Sequence, residues 1–202
     1  VQSAHNGVLR AFGQWTTLGW WPPVGWWPDA ARDLLTITPD ATPASATFVL
    51  PPSAESVHSS RSFAMGTLTG WGLPELNENM ELIVSELATN ALRHGLSLGD
   101  PARAAERRPE RDSRIEEIRL SLVRRGNLVT CAIADPGATG PVLRYPGPLE
   151  PGGLGLHIVE SLSARWGWSP LPPYGKIVWA VLAAQTAQCR PSDPPGTPEL
   201  TR

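Results

Sequence analysis

The chain is poor in the residues that define several protein classes. Two cysteines occur in 202 residues, Cys131 and Cys189, far apart in sequence. With no His pair spaced to complete a zinc site, they make neither a disulfide framework nor a metal cluster. A reducing cytoplasm is therefore the expected compartment. A basic excess is also missing, since 17 Lys+Arg face 19 Asp+Glu for a formal net charge of −2. A sequence-independent nucleic-acid binder needs a basic surface, so direct nucleic-acid binding is not expected. No apolar run approaches about 18 residues, and no basic segment leads into an apolar one. Neither a membrane span nor a secretory signal is expected.

Proline and tryptophan are plentiful instead, with 22 and 9 residues. Five tryptophans (Trp15, Trp20, Trp21, Trp26, Trp27) crowd the start, where Pro and Gly interrupt them and forbid a helix. Residues 1–47 read as a Trp/Pro-rich leader, either a docking segment or an unfolded lead-in, with disorder expected. Residues 185–202 are polar and Pro-rich and read as a disordered tail. The expected folded domain is 48–184.

Within it, a first helix is predicted from Ser53 to about Leu68, with Val57, Ala64 and Leu68 buried and Gly70 as its stop. The second is the best patterned. Pro74, Glu75 and Glu78 suit its start, and Met80, Ile83, Val84, Leu87, Ala88, Ala91 and Leu92 keep the i, i+3, i+4 rule. Gly95 is expected to end it as a left-handed cap. Residues 97–113 are a charged, mixed-sign surface loop. Ile118 to Val123 alternates like a strand, Gly126-Asn127 makes a turn, and Leu128 to Ala134 is a second strand ending at Asp135. Pro and Gly supply ten of the eighteen residues from Pro136 to Gly153, the composition of a lid or binding loop. A helix from Leu154 and a strand from Ile177 to Leu182 complete the domain. The order implies an α+β fold, helices covering one face of a mostly antiparallel sheet.

Three groups in this order could carry chemistry. Glu86 and Asn90 stack on one side of the second helix, with Arg93 and His94 a turn later. Such a row supplies a base for a hydroxyl proton, an amide oxygen for Mg²⁺, and cations for phosphate. Asp135, followed by Pro136 and Gly137, can accept from an exocyclic amine while the glycine lets a planar base approach. Gly152-Gly153-Leu154-Gly155-Leu156 opens a helix where backbone N–H groups converge on an anion. Each has an ordinary alternative: a solvated helix face, a strand-ending turn, a flexible hinge.

Glu86-Leu-Ala-Thr-Asn90-Ala-Leu-Arg-His94-Gly95 resembles the N-box of the ATPase superfamily shared by gyrase, Hsp90, histidine kinases and MutL. Asp135-Pro-Gly137 resembles its second box and Gly153-Leu154-Gly155-Leu156 its third. Trp71-Gly-Leu-Pro74, the 154–162 segment and Gly175-Lys-Ile-Val-Trp179 are similar to the anti-sigma-factor serine kinase branch, especially its actinobacterial members. The resemblance spans about Phe48 to Leu182. It implies a Bergerat fold, a two-layer sandwich with an ATP lid, binding ATP and Mg²⁺. Glu86 would be the general base and Asn90 the Mg²⁺ ligand. Asp135 would bind the adenine amine, Gly137 would seat the base, and Gly153, Leu154, Gly155 and Leu156 would line the phosphates, with Arg93 and His94 as further contacts.

The implied function is phosphorylation of a serine on a STAS-type antagonist protein and binding of a sigma factor. The alternative is an ATP-responsive switch module without significant kinase activity. Homodimerisation stays open. A histidine kinase is disfavoured because His58 lacks the acidic neighbour and following Thr/Pro of a phosphoacceptor. His157 reads as structural and Arg61 as a surface residue. Two positions depart from the family pattern. Thr139 stands where D-x-G-x-G needs its second glycine, with Gly140 adjacent. Ile177 replaces a threonine that helps water-mediated adenine binding, and an apolar side chain cannot make that bond.

Overall fold

A computed structural model describes residues 26–35, 43–95, 117–137, 139–143, 153–171 and 175–184. The earlier part of the leader, the charged 97–113 loop and the 185–202 tail lie outside the described residues. Five strands form one sheet: β1 (Ala44–Leu50), β2 (Ile118–Arg125), β3 (Leu128–Asp135), β4 (Arg165–Pro170) and β5 (Lys176–Ala183). Their order is β1-β2-β3-β5-β4, and every neighbouring pair is antiparallel. Helices α1 (Glu55–Gly70), α2 (Asn77–Asn90) and α3 (Gly155–Leu162) pack against it. The α+β fold with a mostly antiparallel sheet is the one expected, and here the sheet is wholly antiparallel.

The core lies between helices and sheet. All seven apolar residues picked out on the second helix are buried there, joined by Ile118, Leu120 and Leu122 of β2 and Val129, Cys131 and Ile133 of β3. Cys131 is fully enclosed, and burial pushes its thiol up to about 12, so it behaves as an apolar side chain. Helix α1 begins two residues after the expected Ser53 cap. It buries Ser56, Ser60, Ala64 and Leu68, a row of i, i+4 positions. Ser60 Oγ satisfies itself on the Ser56 carbonyl at 2.6 Å, so small polar residues serve on the packed face. Arg61 reaches α2, with Nε 3.6 Å from Glu81 Oε1.

Two strands escape the sequence reading, both at sheet edges. β1 starts at Ala44, inside the expected leader, and its small or polar residues are mostly half-buried or exposed. β4 carries Gly167 in its interior, paired opposite Trp179; a Cβ at Gly167 would lie 2.7 Å from the Trp179 ring. The ring covers the position that a side chain would fill, which is how an edge glycine is tolerated.

The leader differs further from expectation. Residues 26–35, including a 3-10 turn at Asp29–Leu34, lie on the sheet face opposite the helices. Trp27 is buried against a cluster that includes Ala132, Ile177, Trp179 and Val181, and its Nε1 donates to the Ala31 carbonyl at 2.9 Å. Arg165 of β4 ties the same segment down through both oxygens of Asp33, at 2.6 and 3.1 Å. Pro and Gly forbid a long helix there but leave an indole free to cover an apolar sheet face. Trp27→Ala should cost about 3–5 kcal/mol, a large-to-small core change. A lower chemical-denaturation midpoint with unchanged nucleotide binding checks this, since Trp27 lies on the far side of the sheet from the cavity described next.

Candidate functional site

Helix α2 buries one face and turns the other to a cleft. Glu86 and Asn90 occupy that open side and are half-buried. The helix then widens into a π-helical turn at Ala91–Gly95 that carries the exposed Arg93 and His94. Gly95 is not the left-handed cap expected; the described glycines with positive φ are Gly72, Gly126, Gly153 and Gly175. Its role is close approach. A Cβ on Gly95 would stand 2.8 Å from the Asp135 side chain, so only glycine lets this turn rest on the end of β3.

The pleat decides what β3 and β5 present to the cleft. Side chains alternate faces along a strand, and Val129, Cys131 and Ile133 point to the helices, as do Val178, Ala180 and Leu182. Asp135 continues the first series and Lys176 the second, and the two are paired in register. Their side chains meet: Lys176 Nζ lies 2.7 Å from Asp135 Oδ1, with side-chain exposures of 6% and 2%. Lys176 Nζ also donates to the Gly137 carbonyl at 3.1 Å, and the Gly137 amide donates to Asp135 Oδ1 at 2.8 Å. Burial raises the Asp135 carboxyl above its ordinary range, while the Lys176 ammonium, the Gly137 amide and His94 act in the opposite direction. Ile177 belongs to the other face, in the cluster with Trp27. The expected loss of a base contact at Ile177 is thus corrected: its side chain does not face the cleft, and Lys176 does.

The lid side closes the space. Gly153 has φ 91° and leads into α3. A Cβ on Gly155 would run into Glu86 Oε2, so the first turn of α3 lies directly against the Glu86 carboxylate. Thr139 lines the cleft, and the neighbouring Gly140 sits so close to the Trp168 indole that a Cβ there would overlap the ring. The glycine displaced by one position thus has a packing role of its own.

Together these elements enclose a cavity of about 760 Å³. Glu86, Asn90, Arg93, His94, Asp135, Gly153, Leu154, Gly155 and Leu156 all line it, so the three motifs share one space. Gly137 is not on its wall but packs against the ion pair, where a Cβ would stand 2.9 Å from Lys176 Nζ. Lys176 is the wall residue the sequence reading missed.

Residues 50–182 match the family described as "Histidine kinase-like ATPase domain". The chain belongs to that family. Domains of this ATPase family bind ATP, usually with Mg²⁺. The cavity suits such a ligand: its volume is in the range of small-molecule pockets, and it joins a carboxylate, an amide, basic side chains and a glycine-bounded helix start. Among the described residues no cluster of three or more His, Cys, Asp or Glu could hold a metal. No protein of curated function matches the chain. Among solved structures it is similar to the RsbU and RsbW domains of Rv1364c from Mycobacterium tuberculosis, at 15% identity and a TM-score of 0.47. That likeness covers 69% of this chain and 32% of the other, so the chain spans about a third of that structure's length.

The buried pair yields a stability test. Asp135→Ala strands the Lys176 ammonium and should cost about 3–5 kcal/mol. Asp135→Ala combined with Lys176→Met removes both charges and should recover most of that loss. Denaturation midpoints of the wild type and the two variants measure it.

Proposed function

We propose that this domain is an ATP-binding regulatory serine protein kinase and anti-sigma factor, acting in the cytoplasm. Its substrate is a serine on a STAS-type antagonist protein, and a sigma factor is its second partner. The observation that carries this reading is the position of the Glu86 carboxylate, half-buried in the cavity wall and against the first turn of α3. ATP and Mg²⁺, when bound, supply the phosphoryl group and the charge neutralisation that phosphoryl transfer requires. Glu86 accepts the proton of the incoming serine hydroxyl. Asn90 offers its amide oxygen to the metal, four residues along the same helix side. The backbone N–H groups of the first turn of α3 lack acceptors within the helix and are available to anionic oxygens. Arg93 and His94 add donors at the cavity rim.

An ATP-responsive switch without transfer is the other reading, and both Thr139 in place of the second box's glycine and an apolar Ile177 in the base site would favour it. Ile177 lies on the far face of the sheet, which removes that objection to tight base recognition. Incubation with labelled ATP, Mg²⁺ and a candidate antagonist separates the two. The wild type should label the antagonist, and Glu86→Ala should lower transfer by roughly 10²–10⁴-fold while ATP binding persists. Near-normal transfer by Glu86→Ala refutes the base assignment. Binding of ATP and antagonist without any labelling by the wild type identifies the switch. In the same titrations, Asn90→Ala should remove the gain in ATP affinity that Mg²⁺ gives the wild type.

A further inference from the structure

The Lys176–Asp135 pair is more than a structural tie, because it opens onto the cavity wall at the site assigned to the base. Both described partners of Asp135 bind at Oδ1, namely Lys176 Nζ at 2.7 Å and the Gly137 amide at 2.8 Å. An ammonium carries three N–H groups. Lys176 uses two on described acceptors, Asp135 Oδ1 and the Gly137 carbonyl. Both residues line the cavity. The wall there presents a carboxylate acceptor beside an ammonium donor, fixed in place by the sheet register and by burial.

That pairing complements one edge of adenine, where the exocyclic N6 amine donates and the adjacent ring nitrogen N1 accepts. We propose that Lys176 is a specificity-determining residue that donates to adenine N1 while Asp135 accepts from the N6 amine. The inference rests on the nucleotide-binding reading above and extends it to a residue outside the three motifs. Hypoxanthine and guanine reverse both groups, placing a carbonyl at C6 and N–H at N1, so the same pair disfavours them.

Calorimetric titration of the intact chain with base analogues in Mg²⁺ buffer tests the assignment without any variant. 1-Deaza-ATP, with C–H in place of N1, should bind roughly 10- to 100-fold more weakly than ATP, the range for losing a bond to a charged group. The triphosphate of purine riboside, which lacks the N6 amine, should also bind more weakly. With Lys176→Met, ATP and 1-deaza-ATP should bind alike, because the partner of N1 is gone. If the wild type binds 1-deaza-ATP as tightly as ATP, Lys176 is only a structural counter-ion and the inference is overturned. If ATP itself does not bind, the nucleotide reading fails and this assignment fails with it.

Discussion

At the cavity end of the two central strands, an ammonium and a carboxylate are held together out of solvent. Leaving either charge there alone is costly, a loss of several kcal/mol that takes a large share of a domain's stability. The surrounding chain is shaped to keep them paired. Register sets Lys176 opposite Asp135. Gly137 brings both an amide and a carbonyl to the pair. Gly175, at φ 110°, passes the Asp135 carbonyl where a Cβ would stand only 2.6 Å away. Gly95 lets the π-helical turn lie on the Asp135 side chain. The shape of this end of the cavity is thus a consequence of satisfying one buried ion pair.

The opposite side of the cavity is built on a different logic. Glu86 and Asn90 ride on α2, whose other face is anchored by Met80, Ile83, Val84 and Leu87, each nearly or fully buried. Glu86 and Asn90 are therefore held on the cavity wall by the apolar packing of their helix. The lid wall sits between these regimes. Gly140 rests on Trp168 of an edge strand, and Leu154 stays exposed beside the glycines that lead into α3.

Much of this was legible in the residues, and the failures have physical causes. The period of α2 predicts its burial completely because one face is core and the other is solvent. The hairpin reads cleanly because Gly126, at φ 60°, marks the turn between alternating strands. β1 and β4 give weaker signals: an edge strand need not be apolar, and β4 hides its glycine under Trp179. The leader contact of Trp27 is long-range and leaves no local period. Lys176 was missed because β5 is buried on both faces from Lys176 through Leu182. A strand without alternation does not announce which residues face the site. Counting two-residue steps back from Val178 would have put Lys176, and not Ile177, beside Asp135.

The five-residue turn at Ala91–Gly95 constrains how this sequence can vary. It holds one more residue than an α-helical turn would, and Arg93 and His94 reach the cavity because of that surplus. Deleting a single residue there would leave too few residues for the wider turn and shift where Arg93 and His94 leave the helix. A side chain at Gly95 would clash with Asp135, and a change of length moves the basic pair and Gly95 together. Descent within this lineage should therefore preserve the spacing between Asn90 and Gly95 more strictly than the identities between them.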